Sequence, residues 1–243
     1  MENALLIGLS RQMAMTREMS VIANNIANMN TTAYKSEAML FEQFIMPDAS
    51  EESPNKTIRF VQDFGHYRNM RDGALQTTGN PFDFAITGEG FFRVETDKGV
   101  HYTRNGNFQL DEERRIVTPD GHPVLSDAGM PISLAEDETG FTVARDGTIS
   151  TDRGLRGKLA IVTFDNPRAL TKTGNSLLTT TQPELPAEKS RLVQGALEGS
   201  NVQPILEMTN MIEVMRSYTS AQKLIDQSDQ MRRKAIQDIG AAA

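Results

Sequence analysis

Two long stretches without glycine or proline bracket a middle region that is punctuated by both, and this distribution constrains the fold most. The first stretch covers residues 9–46 and the second covers residues 205–239. Because glycine and proline disfavour helix interiors, these stretches are the places where long helices can form. The middle region instead carries repeated turn signals, among them Asp120-Gly121 and Asp146-Gly147, which are typical of short strands joined by tight turns.

The N-terminal stretch carries one narrow apolar stripe. Its apolar side chains alternate between spacings of four and three residues, at Met15, Met19, Ile22, Ile26 and Met29. This spacing is typical of a coiled-coil seam and predicts an amphipathic helix over residues 1–30.

The C-terminal stretch predicts a second and longer amphipathic helix, over residues 205–243. Pro204 stands where a first helical turn tolerates proline, and Ser200 and Asn201 just before it are good capping residues. The apolar positions form one stripe with a second set that widens it. The stripe is Met211, Val214, Tyr218, Ala221 and Ile225, and the second set is Met208, Ile212, Met215 and Leu224.

The middle of the chain predicts a small antiparallel β domain over residues 80–183. Asn105-Gly106 is a strong two-residue hairpin signal between the strand-like runs 101–104 and 107–110. The tetrapeptide at residues 73–76 resembles the one at residues 195–198, which suggests that the chain enters and leaves this domain along two paired extended arms.

These elements together predict an α+β fold, with paired long N- and C-terminal helices of the coiled-coil type and a central small antiparallel β domain. Residues 31–79 are expected to form a linker and extended arm, with a candidate flexible loop at residues 48–56, and residues 184–204 to form the returning arm. The boundaries are placed where the chain changes from stretches without glycine and proline to a region that contains both repeatedly.

The composition excludes several functional classes. The net charge of -7 and the absence of a basic stripe argue against a nucleic-acid partner, and the absence of cysteine removes disulfides and thiolate ligands. The histidines His66, His101 and His122 lack metal-ligand spacing. No catalytic constellation, cofactor loop or site for a small-molecule substrate is recognisable, so we expect a protein that is not an enzyme and needs no cofactor or metal. The short apolar run near the N-terminus also predicts no cleaved secretory signal.

A cluster of asparagines in the first helix has two possible explanations. Asn24, Asn25, Asn28 and Asn30 lie within seven residues. Asparagine ends helices because its side chain bonds nearby backbone groups. A buried asparagine also fixes the register of a helix interface.

Three blocks of sequence resemble the signatures of flagellar rod and hook proteins. The first is Ala23-Asn24-Asn25-Ile26-Ala27-Asn28 followed by Thr31-Thr32-Ala33-Tyr34-Lys35, although the family usually has glycine and phenylalanine where this chain has Ala33 and Tyr34. The second runs through residues 84–92 and continues as Tyr102-Thr103-Arg104-Asn105-Gly106-Asn107-Phe108. The third comprises Ser200-Asn201-Val202 with Met211, Ile212, Arg216, Tyr218 and Lys223.

The resemblance implies a structural subunit of the basal-body rod, whose terminal helices form the inner layer of a tubular filament. It implies that the subunits pass through the flagellar type III export apparatus, cross the periplasm in the basal body and assemble with one another and with other rod proteins. Residues 197–204 look most like a proximal rod protein, and a distal rod or hook-type protein is the alternative. The stripes and the family blocks together assign the assembly interface to Met15, Met19, Ile22, Asn25, Ile26, Asn28, Asn201, Val202, Met208, Met211, Ile212, Met215, Tyr218 and Ile225.

Two interpretations from other classes stay open on the sequence. One is a soluble β-domain binding module with a helical dimerisation stalk. The other is a glycan-hydrolysing carboxylate pair on the β domain, for which the sequence singles out no acid.

Overall fold

The computed structural model describes residues 2–47, 57–136, 138, 140–174 and 176–241. Two α-helices stand at the ends of this part of the chain, α1 (Glu2–Ala27) and α2 (Pro204–Ala241). The candidate flexible loop at residues 48–56 lies outside the described residues. Within the described residues, no helix is both long enough and apolar enough to span a membrane.

The chain divides into two compact units. The first comprises Met1–Ala27, Glu37–Arg68 and Gln203–Ala243, and the second comprises Asn28–Ser36 and Asn69–Val202. The domain boundaries predicted from the sequence stay a prediction.

The first unit combines α1 and α2 with a hairpin of two long strands, β1 (Glu37–Pro47) and β2 (Thr57–Arg68). The strands are antiparallel, with Glu37 opposite Arg68 and an irregularity in the register after Leu40. An ion pair between Arg68 Nη2 and Glu37 Oε1, 3.1 Å apart, closes the base of the hairpin.

The two helices of this unit run antiparallel. Gln12 Nε2 donates to Gln222 Oε1 at 2.6 Å. A second contact, from Asn25 Nδ2 to Glu207 Oε1 at 3.3 Å, joins a later turn of α1 to an earlier turn of α2. Increasing numbers in α1 therefore meet decreasing numbers in α2.

The second unit is built of short strands. In chain order they are β3 (Leu75–Thr77), β4 (Phe84–Thr87), β5 (Phe91–Thr96), β6 (Gly99–Thr103), β7 (Gln109–Leu110), β8 (Ile116–Val117), β9 (Thr142–Val143), β10 (Thr148–Thr151), β11 (Gly154–Lys158), β12 (Ile161–Thr163), β13 (Thr171–Lys172), β14 (Leu177–Thr179), β15 (Leu185–Pro186), β16 (Arg191–Gln194) and β17 (Ala196–Glu198), with a 3₁₀ turn at Pro167–Ala169.

Six of these strands form one sheet in the order β13-β14-β6-β5-β12-β15, with antiparallel neighbours. The aromatic rings of Phe84, Phe92 and Phe108 lie at the centre of the main core and are essentially inaccessible to solvent. Phe92 and Phe108 meet edge to face with ring centroids 5.1 Å apart, a favoured geometry for aromatic pairs.

The paired arms predicted from the repeated tetrapeptides are confirmed. Strand β3 pairs antiparallel with β17, and Leu197 lies opposite Gln76. The arms therefore form a two-stranded ribbon inside the second unit.

The predicted hairpin at Asn105-Gly106 is wrong. Strand β6 pairs with β5 and β14 instead, and β7 pairs with β8. Gly106 serves a close backbone approach, because its carbonyl accepts from Phe84 N at 2.9 Å and a Cβ there would lie 1.8 Å from Phe84 O. Glycine is required here because two segments of the chain approach closely, and not because of a hairpin turn.

The predicted fold class, α+β with long paired helices and a small central β domain, is also wrong. In the described residues the fold is β-rich, with seventeen strands against two α-helices. The strands extend well outside residues 80–183, since β1 and β2 occupy much of residues 31–79, which were predicted to form a linker and an extended arm. The missed signal was residues 57–61, where β-branched and aromatic residues favour a strand.

Candidate assembly interface

On α1, the residues assigned to the interface lie on its inner face. Met15 and Ile22 are buried, and Met19 and Ile26 are half-buried. The N-terminal stripe is therefore largely covered within this chain, and little of it is free to contact another molecule.

The buried asparagine of α1 is Asn25, whose side chain joins three elements of the first unit. Its Oδ1 accepts from Glu37 N at 3.0 Å, and its Nδ2 donates to Glu37 O at 2.8 Å and to Glu207 of α2. These contacts fit a polar residue that fixes how α1 meets α2 and β1. Asn28 fits the other explanation, because its oxygens accept from the backbone and hydroxyl of Thr31 just after the helix ends.

On α2, the predicted stripe and the set that widens it differ in solvent exposure. Met211, Val214, Tyr218, Ala221 and Ile225 are half-buried along one face. Gly8 of α1 approaches that face closely enough that a Cβ would lie 3.2 Å from Ile225 Cδ1. This face is where α2 packs against α1.

A second apolar row on α2 is open to solvent, and we call it the outer stripe: Ile205, Met208, Ile212 and Met215. The exposed fractions of these residues are 82%, 47%, 51% and 54%, respectively. Their alternating spacing of three and four residues is that of a coiled-coil seam. Full burial of such a side chain contributes about 1.5–3 kcal/mol. Covering the outer stripe would therefore add a considerable stabilising free energy that the isolated chain does not gain.

A groove runs along the junction of α1 and α2, and we call it the seam groove. One part is a cavity of about 400 Å³ lined by residues that include Gly8, Ser217, Ser220 and Ala221. A neighbouring cavity of about 290 Å³ shares Arg11 and Ser217 with the first and adds Glu18 and Glu213. Burial raises the pKa of Glu18.

The second unit contains a buried network of charges centred on Glu198. Its Oε1 lies 2.6 Å from Lys35 Nζ and its Oε2 lies 2.7 Å from Arg104 Nε. Arg104 Nη2 also lies 2.7 Å from Asp72 Oδ1. The side chains of Lys35, Glu198 and Arg104 are only 7%, 1% and 6% exposed, so each charge depends on its partners for solvation.

Hydrogen bonds satisfy the rest of this network. Gly73 N donates to Glu198 Oε1 at 2.8 Å, and Arg104 Nη1 donates to Gly90 O at 2.7 Å. Burial alone would raise the pKa of Glu198, but the charges of Arg104 and Lys35 outweigh it and hold that pKa below its ordinary value. Burial lowers the pKa of Lys35, and Glu198 offsets part of that effect. We conclude that Glu198 is ionised between two cations.

Asn201 ties together three segments of the second unit. Its Oδ1 accepts from Ser36 N at 2.7 Å, and its Nδ2 donates to Asn69 O and Arg71 O at 2.8 and 2.9 Å. Val202 beside it is buried. The contacts of Asn201 therefore lie within this chain, and its assignment to an interface between subunits stays a prediction.

The buried network was not predicted from the sequence, although its three buried members stand in motifs that the sequence shows. Lys35 and Arg104 stand inside the family blocks, and Glu198 ends the second tetrapeptide of the arms. A charged residue inside an otherwise apolar or turn-forming motif was the available signal. Within the described residues, no group of three or more histidine, aspartate or glutamate side chains is arranged to hold a metal ion.

Three family models match the chain, and their segments follow one another along it. "Flagella basal body rod protein" matches residues 5–35, "Flagellar hook protein FlgE/F/G D1 domain" matches residues 85–151, and "Flagellar basal body rod FlgEFG protein C-terminal" matches residues 193–238. The flagellar basal-body rod protein FlgF of Caulobacter vibrioides is 38% identical over 243 residues, which cover 99% of each chain. The chain belongs to the flagellar basal-body rod protein family.

Other rod proteins are similar over nearly the same length. The FlgF of Mesorhizobium japonicum is 33% identical over 244 residues, covering 99% of each chain. The rod protein FlgG of Bacillus subtilis is 32% identical over 262 residues, covering 97% of this chain and 98% of its own. This chain is a structural subunit of the flagellar basal-body rod.

The buried network connects the three segments that define the rod family. Lys35 lies in the first matched segment, Arg104 in the second and Glu198 in the third. The network therefore links, inside one unit, parts of the chain that are far apart in sequence.

Proposed function

We propose that this chain is a proximal rod subunit of the FlgF type, which enters the rod through its terminal helices. The observation that carries the proposal is the outer stripe, because a coiled-coil row at 47–82% exposure is unusual for a helix that acts alone. Packing this row against neighbouring subunits supplies the stability that a single α2 lacks, since most helical stability comes from packing.

The similarity to FlgF supports the proximal assignment over the distal one. The FlgF of Caulobacter vibrioides reaches 38% identity with 99% of both chains covered, against 32% for the FlgG of Bacillus subtilis. A distal rod or hook-type subunit is the second candidate, and it predicts the same use of the helices.

The partners in this proposal are copies of the chain, other rod proteins and the flagellar type III export apparatus. The rod segment built from the chain lies where the basal body crosses the periplasm. Its role is mechanical, a stiff shaft of packed helices, and it involves no catalysis, cofactor, nucleic acid or small-molecule substrate. The family membership supports a structural role, since the matched relatives are flagellar basal-body rod proteins.

Deleting the gene tests this proposal. We expect cells that do not swim and basal bodies that lack a rod beyond the inner membrane when viewed by electron microscopy. Supplying the full-length chain from a plasmid should restore both. A stub of rod in the deletion strain would favour the distal assignment, and intact rods would refute the proposal.

A further inference from the structure

A recess on the surface of the second unit is lined by two arginines, and none of the described residues around it carries a carboxylate. The recess has a volume of about 300 Å³ and lies where β16 meets β4 and the end of β9. We call it the arginine recess, and its lining includes Thr87, Val143, Arg145, Arg191, Leu192 and Val193.

The backbone brings the two arginines to one place. Strand β16 pairs antiparallel with β4, and Arg191 lies opposite Thr87. The backbone amide of Leu192 donates to Arg145 O at 2.9 Å, which holds Arg145 next to β16. The position of both arginines is therefore fixed by main-chain hydrogen bonds and leaves their guanidinium groups available.

Both guanidinium groups lack a partner within the part of the chain that the structure describes. Arg145 and Arg191 are exposed, and neither makes an ion pair or a side-chain hydrogen bond there. Arg104, in the same unit, is by contrast paired with Glu198. Two neighbouring cations repel each other, and a guanidinium binds a carboxylate through two parallel hydrogen bonds. The recess therefore suits a carboxylate.

An apolar surface accompanies the arginines. Along β16 the exposure alternates, with Leu192 buried and both Arg191 and Val193 exposed. Alternate residues of a strand lie on one face, about 7 Å apart, and the half-buried Val143 lines the same recess. An extended peptide has the same period, so it would match this face with an acidic residue and an aliphatic residue two positions apart.

The size of the recess favours a short segment over a folded surface. A stable interface between folded proteins buries about 800 Å² on each partner around an apolar centre, whereas Val193, at 37% exposure, is the large hydrophobic side chain that this lining exposes. The chain as a whole carries a net charge of -7. An acidic segment is therefore attracted only where cations stand without acids beside them.

We propose that the arginine recess binds an extended acidic segment of a partner protein. A carboxylate of the segment lies at Arg145 and Arg191, and an aliphatic side chain two residues away packs on Val143 and Val193. This contact uses no residue of α1 or α2 and is separate from the outer stripe. The expectation that the partner is a protein of the basal body rests on the proposed function.

Photo-cross-linking in living cells tests the recess in the full-length chain. A photo-reactive phenylalanine derivative replaces Val193 in cells that swim, and mass spectrometry identifies the peptide that becomes attached on illumination. We expect one protein adduct whose attached segment has an acidic residue two positions from an aliphatic one. Attachment to a segment without acidic residues, attachment to a glycan, or no adduct would overturn the proposal. Swimming of the same cells shows that the rod function stands, so the two failures are distinguishable.

The variant Arg145→Gln/Arg191→Gln separates recognition by the arginines from mere proximity. It should lower the yield of the adduct at least about tenfold, because charge-assisted hydrogen bonds are the strong ones. The matched control is Arg153→Gln/Arg168→Gln, which removes the same charge from two other exposed arginines of the second unit and should leave the yield unchanged. Both purified variants should melt like wild type. An equal loss of adduct in the control would contradict a specific site.

Short peptides test the spacing on the purified chain. The peptide Ser-Glu-Ser-Val-Ser should shift the amide resonances of Thr87, Arg191 and Val193 at about a tenfold lower concentration than Ser-Glu-Val-Ser-Ser, because adjacent residues of an extended chain point to opposite sides. The variant Arg145→Glu/Arg191→Glu should lose this response and respond to Ser-Lys-Ser-Val-Ser instead. Equal responses to the first two peptides, or displacement by an equal concentration of inorganic phosphate, would show that the recess does not read an acidic segment.

Discussion

Replacing Ile212 with aspartate is expected to abolish swimming while leaving the purified chain as stable as wild type. Ile212 is 51% exposed, so a carboxylate at this position stays solvated in the isolated chain. In the assembled rod the same position is covered, and an unpaired buried charge costs several kcal/mol. The measurements are swimming in soft agar and thermal unfolding of the purified variant.

Lys189→Asp is the control for this substitution. Lys189 is exposed in the second unit, and introducing aspartate there should affect neither swimming nor melting. The half-buried Ile26 provides a contrast, since aspartate at that site should also weaken the first unit of the isolated chain. Swimming at the wild-type rate with Ile212→Asp would show that the outer stripe is not part of an assembly contact.

Replacing Glu198 with glutamine is expected to destabilise the second unit by about 3–5 kcal/mol, because Lys35 and Arg104 then lose the charge that balances them. The substitution conserves shape, so the loss reports the charge and not a cavity. Hydrogen exchange of the amides in β5 and β6 measures this directly, since exchange through unfolding accelerates as stability falls. We expect those amides to exchange more than a hundredfold faster than in wild type.

The matched control is Glu188→Gln, an exposed carboxylate in the same unit, which should leave the exchange rates unchanged. The pH dependence gives a further check. The pKa of Glu198 is lower in the folded chain than in the unfolded chain. Its contribution is therefore fully present above the unfolded value of about 4.3 and is lost as the pH falls through the folded value. Equal exchange rates in wild type and Glu198→Gln at neutral pH would show that the network adds no stability.

Local patterns in the sequence predicted the elements that local physics determines. The helices followed from the absence of glycine and proline together with apolar spacing, and the structure has α-helices at Glu2–Ala27 and Pro204–Ala241. The ribbon of β3 and β17 followed from a repeated tetrapeptide. In each case, residues close together in sequence carry the signal.

The sequence failed where distant residues decide the structure. Lys35 and Glu198 are separated by 163 residues, and although each is a charged residue inside a motif, neither motif identifies the other residue as its partner. Gly106 was misassigned because a glycine before a strand-like run signals a turn, whereas here it lets one chain segment approach Phe84. The fold class failed because β1 and β2 were counted as linker.

The distinction between the two apolar rows of α2 also required the structure. The sequence shows one wide apolar surface, and residues of both rows were assigned to the same interface: Met211, Tyr218 and Ile225 of one row, and Met208, Ile212 and Met215 of the other. Only the position of α1 distinguishes the row that packs within the chain from the outer stripe, which stays exposed to solvent. Met208, Ile212 and Met215 are thereby the strongest of the interface residues proposed from the sequence, whereas Met15 and Ile22 are already buried.

The most direct test of the account is oxidative footprinting of the two methionines in the outer stripe. Met208 and Met215 are 47% and 54% exposed in the single chain, and both should be oxidised readily by peroxide in the purified monomer. In isolated basal bodies the same two residues should be strongly protected, because neighbouring helices cover them. Equal oxidation of Met208 and Met215 in the monomer and in the basal body would contradict assembly through α2.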